Sequence, residues 1–110
     1  MKLMTKQIEE LFLKQGYTGD KKAEDIKIVC KYFNPMGSGM WYCYEYDPED
    51  RIFMAYVDLF GPDSGCCESG SVSLDELESY RSKFDTTIER DLHFEPFETT
   101  LTELIAGARP

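Results

Sequence analysis

The chain is short of the residues and motifs on which small enzymes commonly rely. It has a single histidine, His93, and a single tryptophan, Trp41, in 110 residues. There is no G-x-G-x-x-G, no P-loop and no G-x-S-x-G element. The glycine-containing GSGMW at 37–41 lacks the following helix that would make an anion site, so it reads as a hairpin turn. A lone histidine within a strand pattern is more often a surface or packing residue than a catalyst, and no orienting motif supports a Cys–His nucleophile. Cysteine is sparse too. Cys66 and Cys67 are adjacent rather than in C-x-x-C spacing, which disfavours zinc, and Cys30 and Cys43 fall on neighbouring strands, where small thiols commonly just pack. No catalytic residue is assigned on this basis.

Positive charge is also scarce. Lys and Arg number 12 against 21 Asp and Glu, a net charge of −9 that repels phosphate backbones, so direct nucleic-acid binding is not expected. The imbalance is local. Residues 1–33 carry seven bases and five acids, net +2, whereas residues 34–110 carry five bases and sixteen acids, net −11. No apolar run approaches the roughly 18 residues needed to cross a bilayer. The opening MKLMTKQIEELF has no signal-peptide core, so the expected location is the cytoplasm, without membrane contact and with reduced cysteines.

What is present describes one globular domain over residues 1–110, with 42% hydrophobic residues, enough for a core that needs no metal or disulfide. Thr5 is a suitable N-cap for a helix over 5–15, with Met4, Ile8, Leu11 and Phe12 near one face and Gly16 at its end. IKIVCKYF (26–33), MWYCYEYD (40–47) and RIFMAYVDLF (51–60) read as strands joined by turns at NPMGSG and DPED, a meander of hairpins. GPDSGCCESG (61–70) reads as a loop. Ser73 to Glu76 fits a capping box for a helix to about residue 83, TTIERDLHF (86–94) alternates as a strand, and Thr100 with Glu103 offers a second capping box. The fold class expected is α+β: a mainly antiparallel sheet of four to five strands with short helices packed on one face.

The stretch WYCYEYDPED (41–50) concentrates the candidate chemistry. Strict alternation places Met40, Tyr42, Tyr44 and Tyr46 on one face and Trp41, Cys43, Glu45 and Asp47 on the other. A tyrosine stripe suits a half-wet pleated surface, and also a stacking platform for bases, but such platforms sit in basic grooves and this region is acidic. The carboxylates Glu45, Asp47, Glu49, Asp50 and Asp58 lie along one hairpin, and Glu89 and Asp91 share a face of another strand. If the strands are neighbours, such oxygens could converge on Mg²⁺ or Mn²⁺. Arg90, between those two acids, is expected to pair with a partly buried carboxylate.

The strings GSGMWYCYEYDPED, SLDELES and IERDLHFEP, in that order and spacing, resemble a bacterial family, domain of unknown function 2958. The resemblance runs from MTKQI to Pro96 and leaves the last fourteen residues outside. It rests on Trp41, Tyr42, Glu45, Asp47, Pro48, Ser73, Leu74, Leu77, Glu89, Arg90, Asp91, Phe94 and Pro96. Met40, the CCES segment and His93 depart from the pattern. The resemblance implies cargo of plasmids, conjugative elements or phages, in the company of anti-restriction and single-stranded-DNA-handling functions.

The reading that joins residues and resemblance is a small acidic counter-defence inhibitor, anti-CRISPR or anti-restriction, needing no cofactor. Its partner would be a host defence protein such as a CRISPR effector or restriction enzyme, whose basic channels a carboxylate array could occupy. The expected partner-binding residues are Glu45, Asp47, Glu49 and Asp50, with Tyr44 and Tyr46 as aromatic anchors. The alternatives are a metal-dependent single-stranded DNA nuclease, with Mg²⁺ or Mn²⁺ on Glu45, Asp47, Glu89 and Asp91, or an accessory plasmid-maintenance module.

Overall fold

The apolar residues of the meander assemble, in a computed structural model that describes residues 1–61 and 63–110, into one antiparallel sheet. The elements in chain order are α1 (Lys6–Gln15), β1 (Cys30–Phe33), β2 (Met40–Asp47), β3 (Ile52–Asp58), β4 (Cys67–Ser73), α2 (Leu74–Ser79), β5 (Glu89–Arg90) and α3 (Leu101–Ile105), with a short 3₁₀ turn at Ala23–Asp25. The sheet has five strands in the order β4-β3-β2-β1-β5. The α+β class and the antiparallel meander are as the sequence indicates.

The helix ends follow local chemistry. Thr5 Oγ1 accepts the Ile8 N–H at 3.2 Å and Gly16, at φ 71°, closes α1 by donating to the Phe12 carbonyl. Thr100 and Glu103 form a complete capping box at α3. At α2, Ser73 Oγ accepts the Glu76 N–H at 3.2 Å, one arm of the box.

Helices cover both faces of the sheet rather than one, because neighbouring strand residues bury apolar groups on opposite sides. One core holds Phe12, Tyr32, Cys43, Phe53, Ala55, Leu74 and Leu77 beneath α1 and α2. The other holds Ile26, Ile28, Tyr42, Tyr44, Tyr56, Leu101 and Leu104 beneath α3.

Three further differences from the sequence reading have physical causes. The loop expected at 61–70 gives way, from Cys67, to strand β4, whose CESGSVS lacks apolar alternation because it lies at the sheet's edge with much of its surface wet. Of the strand expected over 86–94, two residues pair, Arg90 with Tyr32 and Glu89 with Phe33. Beyond them the Asp91 side chain accepts the His93 N–H at 2.9 Å and turns the chain away. Residues 26–28 leave the sheet to bond the C-terminal segment, Ile28 N–H to the Thr99 carbonyl and Leu101 N–H to that of Ile26.

The alternation of β2 is broken. Its register with β3 runs from Cys43↔Ala55 to Glu45↔Met54, so Tyr44 is an extra, unpaired residue, a β-bulge. A one-residue slip reverses every side chain beyond it. Tyr42 and Tyr44 therefore stay in the α3-side core, while Tyr46 joins the α1 side against Phe12 (ring centroids 5.7 Å) and Phe53 (4.8 Å). The continuous tyrosine stripe of the sequence reading does not exist.

Candidate functional site

Each candidate in the 44–50 stretch is set by that bulge and by the turn that follows. Tyr44 is buried, and its carbonyl accepts from Gln15 Nε2 at 3.0 Å. Glu45, reversed to the α3 side, accepts both the backbone N–H and the hydroxyl of Thr18 at 2.7 Å each, and so anchors the loop after α1. Tyr46 is half-buried. Burial is the main influence raising its phenol pKa, with Glu9, Glu78 and Asp75 adding to it against Arg51.

Asp47 Oδ1 accepts the Glu49 N–H at 2.9 Å and holds the turn closed. Arg51 then takes φ 56°, the left-handed step that returns the chain into β3. Its guanidinium reaches α2, pairing with Asp75 at 2.7 Å and with Glu78, while its carbonyl accepts the Leu74 N–H at 2.9 Å. The turn and α2 are thus joined into one acidic end. Glu49 and Asp50 stand exposed on it beside Asp75, Glu76 and Glu78, with Arg51 already shared by two carboxylates. Arrays of this kind project a negative field that falls off over about 8 Å at physiological salt.

The four carboxylates considered for a metal are not brought together. Strand β1 lies between β2 and β5, and Glu89 aligns through Phe33 with Met40, at the far end of β2 from Glu45. That separates the two pairs by roughly 10 Å across the strands and roughly 16 Å along them. Asp91 pairs instead with Lys31 at 3.6 Å. Among the described residues no group of three or more His, Cys, Asp or Glu could hold a metal ion. Arg90 makes none of the ion pairs found among the described residues, and its Nη1 is a buried atom without a hydrogen-bond partner. His93 is exposed. Cys30 and Cys43 sit directly opposite one another in the β1–β2 register, and burial pushes the Cys43 thiol well up.

Sequence reasoning grouped Asp58 with the hairpin acids and missed its role. Asp58 is fully buried at the end of β3, bonded to Arg109 Nε at 2.6 Å and to the Gly61 N–H at 2.6 Å. Arg109 also donates to the Leu104 carbonyl at 2.8 Å, approaches Cys67 Sγ at 3.6 Å and lies over the Tyr56 ring at 5.5 Å. Burial works to raise the Asp58 pKa, but the bonds from Arg109, Gly61 and Cys67 outweigh it and the net shift is downward. Asp58 and Arg109 are 51 positions apart, so no local pattern could have joined them. This pair ties α3 to the sheet and is architecture.

Fold and surface together define a small acidic α+β protein with a carboxylate-bearing turn and helix at one end. The model of the family described as "Protein of unknown function (DUF2958)" matches residues 3–110, nearly the whole chain, and the protein belongs to that family. The match includes the last fourteen residues, which the resemblance seen in the sequence had left out. No curated protein and no solved structure matches the chain. No helix among the described residues is long and apolar enough to cross a membrane.

Proposed function

We propose that the protein is a counter-defence inhibitor of a mobile element or phage, an anti-CRISPR or anti-restriction protein that works in the cytoplasm by binding a nucleic-acid-handling host protein. The observation that carries this reading is the acidic end, where Glu49, Asp50 and Glu76 are exposed on a turn and helix locked together through Arg51. A partner with a Lys/Arg-lined nucleic-acid channel presents the complementary field. Glu45, Asp47, Tyr44 and Tyr46 serve this surface indirectly, by fixing the strand and turn that display it. The nuclease alternative has no comparable support, since its proposed ligands lie at different ends of the sheet.

The test is inhibition of purified restriction endonucleases and CRISPR effector nucleases by the intact protein. Stoichiometric inhibition is expected of at least one, relieved by added salt and weakened at least tenfold in association rate by Glu49→Lys with Asp50→Lys, while thermal stability stays within about 0.5 kcal/mol of the parent. Inhibition untouched by that double reversal, or none across the panel, refutes the proposal.

A further inference from the structure

A second surface, which shares Glu76 with the acidic end, has its own recognition chemistry. Strand β4 is one edge of the sheet, and it pairs with β3 in unbroken register over all seven of its residues, Cys67 to Ser73. Natural edges are commonly blunted by shortness, proline, lysine or a bulge. The opposite edge follows that rule, since β5 has two residues. Strand β4 has none of these devices, so alternate N–H and carbonyl groups along it face outward, and among the described residues no strand pairs with that side.

On the α1 and α2 side, β4 presents Glu68, Gly70 and Val72, opposite Val57, Ala55 and Phe53. A Cβ at Gly70 would meet nothing within 4 Å, so the strand has a gap there. An open groove of about 690 Å³ adjoins it, walled by Trp41, Val57, Phe60, Val72, Leu77 and Tyr80, with Glu76 on its rim. Neither Glu68 nor Glu76 makes any of the ion pairs found among the described residues, and both are exposed.

We propose that β4 is a docking edge for an extended segment of a partner protein, added antiparallel as a sixth strand, whose alternate residues read aliphatic, aromatic, basic from N to C. The aliphatic group would lie beside Val72. The aromatic ring would cover Gly70 and enter the groove, and the basic side chain would meet Glu68. Main-chain bonds to the edge supply affinity and the alternate side chains supply selectivity, the usual division of labour in strand addition. Charge complementarity selects this occupant over a second copy, because two chains of net charge −9 repel one another and β4 would oppose its own serines and glutamate.

The probe is a blocked heptapeptide, Thr-Val-Thr-Phe-Thr-Arg-Thr, titrated into the whole protein with Trp41 fluorescence and β4 amide shifts as readouts. Saturable binding is expected, at least tenfold weaker for Glu68→Lys and for Gly70→Val, each checked for an unchanged melting temperature. N-methylation of the peptide at one alternate set of residues should abolish binding and at the other set leave it intact. Equal binding by a peptide with Val, Phe and Arg consecutive would show mere charge attraction and overturn the proposal. So would indifference to both methylation patterns, absence of saturable binding, or a concentration-dependent dimer held through β4.

Discussion

Replacing Arg109 by alanine should be among the most destabilising single changes available in this protein. Asp58 is fully buried, and its carboxylate keeps its charge because Arg109 Nε and the Gly61 N–H bond its two oxygens at 2.6 Å each. Arg109→Ala removes the counter-charge and leaves one N–H donor facing a buried anion. Breaking a buried pair in this way costs about 3–5 kcal/mol, a large share of the roughly 5–15 kcal/mol that holds a domain together. At about 4 °C per kcal/mol the melting temperature should fall by at least about 12 °C.

The pH dependence has a defined sign. The folded Asp58 pKa lies below its ordinary 3.8, so the pair's stabilisation is present above that value and is lost as pH falls through the folded pKa. In Arg109→Ala, burial is opposed by the Gly61 and Cys67 bonds alone. The carboxyl rises relative to the parent, so the variant gains less stability than the parent as pH rises. The gap between parent and variant should therefore be widest near pH 7 and narrow in acid. Urea unfolding across that range measures it directly. The double replacement Asp58→Leu with Arg109→Met should recover most of the loss, because an apolar pair avoids burying the charges. A loss under about 1 kcal/mol, or a gap independent of pH, would refute this account.

Glu45→Ala should cost about 1–3 kcal/mol, since it strips the acceptor from both Thr18 donors, and hydrogen exchange at the Thr18 amide should quicken. The Tyr42 phenol, pushed up to about 12 mainly by burial, should ionise late in an absorbance titration of the folded protein; ionisation near 10 would contradict its packing. Thiol-directed reagents should modify exposed Cys66 first and reach Cys30 and Cys43 only on unfolding, with mass spectrometry giving the order. Thr100→Ala should cost about 1 kcal/mol through loss of the α3 capping box, measurable by denaturant midpoint.

Much of this architecture was legible where local chemistry decides it. The caps at Thr5 and Thr100, Gly16 beyond α1 and the β-branched and aromatic runs of β2 and β3 each announce their element. Strand β4 was illegible because an edge strand need not carry an apolar pattern, and CESGSVS resembles a loop in composition. The 86–94 alternation misled for the converse reason: Ile88 is buried on the α1 side and Phe94 packs on the other, so the chain crosses the sheet's edge between them. Within the candidate site, Glu49 and Asp50 could be seen as exposed turn acids. The engagement of Glu45 by Thr18 depends on a reversal of facing that WYCYEY does not signal.

The bulge at Tyr44 makes β2 a strand with two phases. Deleting that one residue would restore uninterrupted alternation and leave Glu45 opposite Met54 and Tyr46 opposite Phe53, on the sides they already take. Tyr46 would stay against Phe12 and Phe53 and Glu45 on the side of Thr18, so the loss would be that of the buried Tyr44 ring. Deletion of Tyr44 should therefore show damage in keeping with the side chain removed, with amide exchange across Glu45–Asp47 staying close to that of the parent.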